Sequence, residues 1–254
     1  MEIIQALILG IVQGITEWLP VSSSGHLVLF QEFLGFGTDV AFDVLLHLAT
    51  LIVILAVFWK DILAILRSLL AFRWDENSKL LFFILLASVP TAIFGLVFHD
   101  WLVGLFSNLL LLGVFFIVNA IILFLTRFAK PAKQLNWWKS IVMGVAQGLS
   151  IIPSISRSGA TVSTGMFLGI KKEKLIRFSF LMAVPAIIGA FIMEAKDLAF
   201  NNPLPLILGS LTALVVGYFA LKLMIRTIEK GKLYYFAYYC LILGVLILVL
   251  NLIS

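Results

Sequence analysis

Two short clusters of polar residues interrupt an otherwise apolar sequence. The first runs from Gln13 to His26 and contains a carboxylate, a row of serines and an imidazole. The second runs from Gln147 to Thr161 and contains serines, a threonine and an arginine. Ionisable side chains are costly inside lipid, so within apolar segments they mark a functional site by default. The types present are those of acid–base, nucleophilic and anion-binding chemistry.

The two clusters are related by a constant offset in the sequence. The matched pairs are Gly10 with Gly144, Gln13 with Gln147, Gly14 with Gly148, Thr16 with Ser150, Ser22 with Ser156, Ser24 with Ser158 and Gly25 with Gly159. The two prolines, Pro20 and Pro153, are displaced from this offset by one residue. This similarity predicts an internal duplication. It would bring an acid and a histidine on one copy to an arginine on the other.

The second cluster suits an anion. Its polar side chains follow a proline and precede an apolar helix: Ser156, Arg157, Ser158 and Thr161. Free N–H groups at a helix start, together with an arginine fork, bind phosphate well, and hydroxyls add donors. The alternative is a capped helix whose Arg157 reaches the lipid headgroups. Because Arg157 lies far from the basic loops, we favour phosphate binding.

The first cluster offers oxygen ligands for a metal ion. Gln13 and Glu17 are four residues apart and share one face of a helix. A carboxylate and an amide oxygen could hold a divalent cation that also contacts phosphate. With a single carboxylate, the ion would be held loosely and largely through the substrate. The alternative is an ion pair between Glu17 and Arg157, which would also bring the clusters together.

The serines of the first cluster allow nucleophilic catalysis. Ser22, Ser23 and Ser24 precede His26, which could act as the base for a serine nucleophile. His26 could instead attack phosphorus itself or protonate the leaving group. We expect one serine to cap the following helix in any case. His47, in the middle of an apolar span, is interpreted as a bonded core histidine.

Composition indicates a polytopic membrane protein. The 254 residues are 62% hydrophobic and 12% charged, against about 45–50% and about 25% in soluble domains. We expect a single membrane domain over residues 1–254, without a cleavable signal peptide. The lone Cys240 excludes an intramolecular disulfide. Lysines and arginines at span ends explain the net charge of +5 better than nucleic-acid binding does.

The hydropathy pattern predicts an all-α fold of six transmembrane helices and two broken, re-entrant hairpins. The hairpins cover 2–35 and 138–170, and the spans cover about 40–59, 79–98, 104–126, 175–194, 204–225 and 234–252. Four loops are basic, the first of them from Lys60 to Lys79, and all four are assigned to the cytoplasm. The hairpins then enter from opposite sides, as in inverted repeats whose broken helices form a site near the midplane.

A second similarity relates the segment Lys79–Pro90 to the segment Lys174–Pro185. Both segments begin with Lys-Leu, continue with Phe, Leu and Val at matching positions and end in proline. This predicts that Pro90 and Pro185 kink equivalent spans.

The two clusters resemble the motifs of the undecaprenyl-pyrophosphate phosphatase family, which is associated with bacitracin resistance. The first motif is met by Gln13, Glu17, Pro20, Ser22, Ser23, Gly25 and His26, and the second by Pro153, Ser156, Arg157, Ser158 and Thr161. Two positions depart from the family pattern. Gln13 stands where many relatives carry a second glutamate, and Ser154 stands where glycine is usual.

The resemblance implies hydrolysis of undecaprenyl diphosphate to the monophosphate and inorganic phosphate. This would recycle the lipid carrier for cell-wall synthesis at the outer face of the bacterial cytoplasmic membrane. In this scheme Ser23, His26, Glu17 and Arg157 are catalytic; Ser22, Ser156, Arg157, Ser158 and Thr161 bind substrate; Glu17 and Gln13 hold Mg²⁺ or Ca²⁺. Transport of the same polyprenyl lipid is the alternative function. The sequence is also compatible with a homodimer.

Overall fold

The computed structural model describes residues 2–35, 40–98, 101, 104–105, 108–194 and 203–253. Within these ranges the regular elements are helices, and a single isolated bridge joins Lys133 to Ile170. The predicted all-α fold class is therefore confirmed.

Twelve α-helices are described. They are α1 (Ile3–Trp18), α2 (Ser23–Phe33), α3 (Val40–Val57), α4 (Trp59–Leu70), α5 (Glu76–Val97), α6 (Leu109–Leu125), α7 (Trp137–Leu149), α8 (Arg157–Phe167), α9 (Lys172–Leu181), α10 (Ala183–Glu194), α11 (Pro203–Glu229) and α12 (Tyr235–Ile253). A short 3₁₀ turn, Thr126–Phe128, extends α6.

Several of these helices can cross a membrane. Among the described residues five stretches are long and apolar enough: Glu76–Val97, Leu109–Phe128, Lys172–Met193, Pro203–Glu229 and Tyr235–Leu252. A sixth candidate is the bent pair formed by α3 and α4. The helices of the two hairpins, α1 with α2 and α7 with α8, have 16, 11, 13 and 11 residues. Each is shorter than the ~20 residues of a full span; that the two hairpins are re-entrant stays a prediction.

The segment from Lys60 to Lys79, predicted as a loop, is largely helical. Helix α4 follows α3 after a bend of 72°. Its Ile65 is buried while Lys60 and Arg67 are exposed, so the helix is amphipathic. Asp61 in its first turn and Arg67 in its last turn complement the helix dipole. The apolar face and the charges at the two ends favour a helix here, whereas the number of charged residues had suggested a loop.

Paired glycines set the closest helix contacts in both halves of the chain. Helix α1 packs against α11, where a Cβ on Gly10 would overlap the backbone oxygen of Gly209 and one on Gly14 would lie 2.9 Å from that of Ala213. Helix α7 packs against α5, where a Cβ on Gly144 would overlap the backbone of Ala87. Small residues four apart allow such backbone approach between membrane helices. Because Gly10 matches Gly144, α11 is the counterpart of α5.

This packing corrects the expectation drawn from the second similarity. Helix α5 continues through Pro90, whereas the chain near Pro185 is divided at Met182 into α9 and α10. Pro185 lacks the N–H that would continue the helical ladder. At the break the carbonyl of Met182 accepts a hydrogen bond from Gln147 Nε2 at 3.3 Å. The segments Lys79–Pro90 and Lys174–Pro185 therefore do not mark equivalent spans.

The close contact between α1 and α11 predicts the effect of adding one methyl group. Gly10→Ala should lower the thermal unfolding midpoint in detergent, since overpacking costs about 1–3 kcal/mol. Gly189→Ala in α10 is the matched control, because its Cβ would meet no atom within 4 Å. The midpoints of both variants are measured as the temperature at which half of the protein no longer stays monodisperse. Equal midpoints for the two variants would contradict the packing described.

Candidate active site

Each hairpin turns at a tip that a serine caps. The first tip (residues 17–26) leaves α1 at Trp18, and the hydroxyl of Ser22 then accepts a hydrogen bond from the Gly25 N–H (3.3 Å) at the start of α2. In the second tip (residues 150–161) Ser156 accepts from the Gly159 N–H (3.2 Å) at the start of α8. The predicted serine cap is confirmed, and it occurs at the matched position of both copies.

Both tips contain one non-glycine residue with left-handed backbone. Ser22 has φ of 70° and Ser154 has φ of 63°. Ser154 is the position where the motif usually has glycine, which adopts this conformation freely. The turn is therefore formed with serine in a conformation that costs an L-residue roughly 1–2 kcal/mol.

The two tips meet through a buried ion pair. Arg157 Nη2 donates to Glu17 Oε1, and the Glu17 side chain is 4% exposed. The guanidinium also lies 5.9 Å from the centre of the Trp18 ring. Nearby, the hydroxyl of Ser158 donates to the Leu19 carbonyl at 3.3 Å. Arg157 thus faces the first tip instead of the headgroups, and residues far apart in sequence share one site.

The second carboxylate oxygen of Glu17 organises the rest of the first tip. Glu17 Oε2 accepts from the Ser23 hydroxyl at 2.6 Å and from Gln13 Nε2 at 3.1 Å. His47 Nε2 lies 3.6 Å from the same oxygen. Ser23 is therefore oriented by Glu17, and this carboxylate is in place to take the serine proton.

His26 is held by different partners from those expected. Its Nδ1 lies 2.7 Å from the Ser22 carbonyl and its Nε2 lies 2.7 Å from the Tyr239 hydroxyl. A carbonyl can only accept, so Nδ1 carries the proton and Nε2 accepts from Tyr239. The Tyr239 ring stacks on the imidazole, with centroids 5.7 Å apart. The described hydrogen bonds of His26 do not include Ser23, and a role as base or nucleophile stays a prediction.

The hydroxyls expected to bind substrate lie around Arg157. The hydroxyl oxygens of Ser156 and Ser158 are 3.1 Å apart. The Thr161 hydroxyl donates to the Arg157 carbonyl (2.9 Å) and lies 2.6 Å from that of Ser179. Arg157 Nη1 is buried and has no hydrogen-bond partner among the described residues. A guanidinium N–H beside a helix N-terminus and two hydroxyls is suited to an anion.

The sequence reasoning missed a buried asparagine that joins the tips. Asn119 in α6 is fully buried; its Nδ2 donates to the Pro20 carbonyl (3.0 Å) and its Oδ1 accepts from the Ser156 N–H (3.3 Å). One side chain thus satisfies backbone groups of both tips. The available signal was a lone polar residue in an apolar span, which is a site marker by default. Tyr239 carried no comparable signal, because it is one of several aromatic residues in its region.

The side chains around Glu17 offer oxygen ligands of the kind that a divalent cation would need. Gln13 Oε1 is buried and unpartnered among the described residues, and it belongs to the side chain that donates to Glu17. Amide, carboxylate and hydroxyl oxygens from Gln13, Glu17 and Ser23 are ligands that hard cations prefer. In the described part of the chain no three His, Cys, Asp or Glu side chains converge on one point. Substrate oxygens would therefore have to complete the coordination.

The asparagine bridge predicts a stability effect. Asn119→Leu should lower the unfolding midpoint and speed hydrogen exchange at the Ser156 amide, because each buried polar group left unpaired costs about 1–3 kcal/mol. Ile121→Leu, at a half-exposed position of the same helix, is the control. Unchanged exchange in Asn119→Leu would show that the two tips do not depend on this side chain.

Comparison with known proteins identifies the family. The family model described as bacitracin resistance protein BacA matches residues 6–246. Undecaprenyl-diphosphatase of Halothermothrix orenii is 41% identical over 260 residues, covering 98% of each chain. The protein of the same name from Carboxydothermus hydrogenoformans is 44% identical, covering 99% of this chain and 98% of its own, and that from Korarchaeum cryptofilum is 40% identical, covering 98% and 99%. The chain therefore belongs to the bacitracin resistance protein BacA family.

Proposed function

We propose that this protein hydrolyses undecaprenyl diphosphate to undecaprenyl phosphate and inorganic phosphate. The observation that carries the proposal is the meeting of Arg157, Glu17 and Ser23 at the junction of two hairpin tips. These side chains supply an anion-binding group, a base and a nucleophile inside a bundle of apolar helices. The relatives named undecaprenyl-diphosphatase align over nearly the whole chain, which supports this substrate.

Substrate binding would begin at Arg157. The unpartnered Nη1 and the N-terminus of α8 attract the diphosphate, with Ser156 and Ser158 as further donors. A bound diphosphate would compete with Glu17 for the guanidinium. As the ion pair loosens, the carboxylate becomes a better proton acceptor, so binding prepares the base.

The chemical step follows from the contact between Ser23 and Glu17. The Ser23 oxygen attacks the terminal phosphorus while its proton passes to Glu17 Oε2, 2.6 Å away. The bond from that phosphorus to the bridging oxygen breaks, and undecaprenyl phosphate leaves. Water then attacks the phosphoserine phosphorus and the bond to the Ser23 oxygen breaks. The serine oxygen takes its proton back from Glu17, and inorganic phosphate leaves with the hydroxyl of the water while the other water proton passes to solvent. Direct attack by His26 is the competing route, and it requires His26 to give up the hydrogen bond from Tyr239.

A divalent cation, Mg²⁺ or Ca²⁺, forms part of the proposal. Glu17 and Gln13 would hold it, in keeping with the unpartnered Gln13 oxygen. When bound, such an ion neutralises charge on phosphoryl oxygens.

Phosphate release from undecaprenyl diphosphate by protein purified in detergent tests the proposal. Arg157→Ala should lower kcat by about 10²–10³-fold, as loss of one preorganised charge donor does, and Ser23→Ala should abolish phosphoserine formation. Arg67→Ala, at an exposed cytoplasmic-side position, is the matched control. Full turnover in Arg157→Ala would rule out the site. Detergent has no two compartments, so release there separates hydrolysis from lipid transport.

We also propose that the site opens to the outer side of the cytoplasmic membrane, where recycling would confer bacitracin resistance. The support is the excess of lysine and arginine in loops on the opposite side. In a Cys240→Ser background, Phe33→Cys should react in intact cells with a membrane-impermeant thiol reagent. Phe72→Cys should not react, although both side chains are highly exposed. The reverse labelling pattern would overturn this orientation.

A further inference from the structure

His47 is oriented as metal-ligating histidines are. Its Nδ1 lies 2.8 Å from the Asp43 backbone carbonyl. Since a carbonyl can only accept, Nδ1 carries a proton, and the lone pair of the neutral ring lies on Nε2. Histidine ligands usually donate their other ring N–H to a carbonyl or carboxylate in this way. The sequence had suggested only a bonded core histidine.

The group facing this nitrogen is the carboxylate of Glu17. His47 Nε2 and Glu17 Oε2 are 3.6 Å apart, which is longer than a normal hydrogen bond. Two ligands that each lie about 2.1 Å from one ion are separated by roughly 3–3.6 Å. The His47 side chain is 34% exposed, so it borders an accessible space instead of filling the core.

An orphaned oxygen lies beside this pair. Gln13 is fully buried, and its Oε1 has no hydrogen-bond partner in the described part of the chain. The nitrogen of the same amide donates to Glu17 Oε2 at 3.1 Å, so the amide group borders this carboxylate, and a half-turn about its last bond brings Oε1 to the nitrogen's position. The other carboxylate oxygen remains with Arg157. Glu17 can therefore serve Arg157 and an ion through separate oxygens.

We propose that His47 Nε2 is a direct ligand of the divalent cation, together with Gln13 Oε1 and one lone pair of Glu17 Oε2, whose other lone pair stays with the Ser23 hydroxyl. The inference rests on the proposed function only in taking a divalent ion to bind at this tip. An imidazole ligand suits transition-metal ions such as Zn²⁺, Fe²⁺ and Ni²⁺, whereas Ca²⁺ takes oxygen ligands. Mn²⁺ is the first-row transition ion that serves as the paramagnetic probe. The protein should therefore bind Mn²⁺ more tightly than Ca²⁺, which a site of oxygen ligands alone does not require.

Pulsed electron paramagnetic resonance on Mn²⁺ bound to the purified full-length protein tests the proposal. A directly bound imidazole gives a ¹⁴N coupling to the metal. The chain has three histidines, His26, His47 and His99, so each can be replaced in turn. The coupling should be present in the wild type, absent in His47→Gln, and retained in His26→Gln and in His99→Gln.

Affinity gives a second readout. The dissociation constant for Mn²⁺ should rise about 10–100-fold in His47→Gln, while that for Ca²⁺ changes much less. Should His47→Gln fail to fold, the His26→Gln/His99→Gln double variant leaves His47 as the only histidine and must retain the coupling.

Three results would overturn the assignment: no bound Mn²⁺, no ¹⁴N coupling in the wild type, or a coupling that survives His47→Gln. None of them depends on turnover. Phosphate release by a protein without the coupling would leave the proposed hydrolysis standing and remove only His47 from the metal site. If phosphate release were lost while the coupling stayed intact, His47 would remain a metal ligand and the proposed hydrolysis would be overturned.

Discussion

The structure depends on the buried ion pair between Glu17 and Arg157. Each charge alone would be expensive at this depth, and breaking such a pair by removing one partner typically costs about 3–5 kcal/mol. The carboxylate is 4% exposed and the arginine side chain 18% exposed. Because the partners come from different hairpins, neither hairpin can be satisfied without the other. Under the proposed function this pair also supplies the arginine that binds phosphate and the carboxylate that takes the serine proton, so stability and chemistry would use the same atoms.

The surrounding helices provide hydrogen-bond partners for the irregular backbone of the two tips. Non-helical chain inside a membrane must find hydrogen-bond partners within the protein. Serine caps satisfy the starts of α2 and α8, and Asn119 satisfies one backbone group from each tip. Glycines on α1 and α7 let these helices approach α11 and α5 closely, which fixes the position of the tips relative to these helices. The fold is thus a frame that positions two loops.

Much of this was predictable because its signals are local. The polar clusters, the all-α fold with its long apolar helices and the capping serines follow from residue type and spacing. Other features are set by contacts between distant segments. Because the two are close in sequence, His26 was expected to be the partner of Ser23. In the structure the Ser23 hydroxyl instead donates to Glu17, and His26 is hydrogen-bonded to Tyr239, 213 residues away. The segment from Lys60 to Lys79 was predicted as a loop from its basic residues, although the spacing of its apolar residues is that of the amphipathic helix α4.

The contact between the tips can be measured directly by cross-linking. A Cβ on Gly159 would lie 3.2 Å from the Cβ of Pro20, near the about 3.5–4.5 Å that a disulfide requires. In a Cys240→Ser background, Pro20→Cys with Gly159→Cys should form a disulfide under mild oxidation, whereas Pro20→Cys with Gly189→Cys should not. Free thiols in the first pair after oxidation, with wild-type unfolding behaviour, would mean that the two tips do not meet.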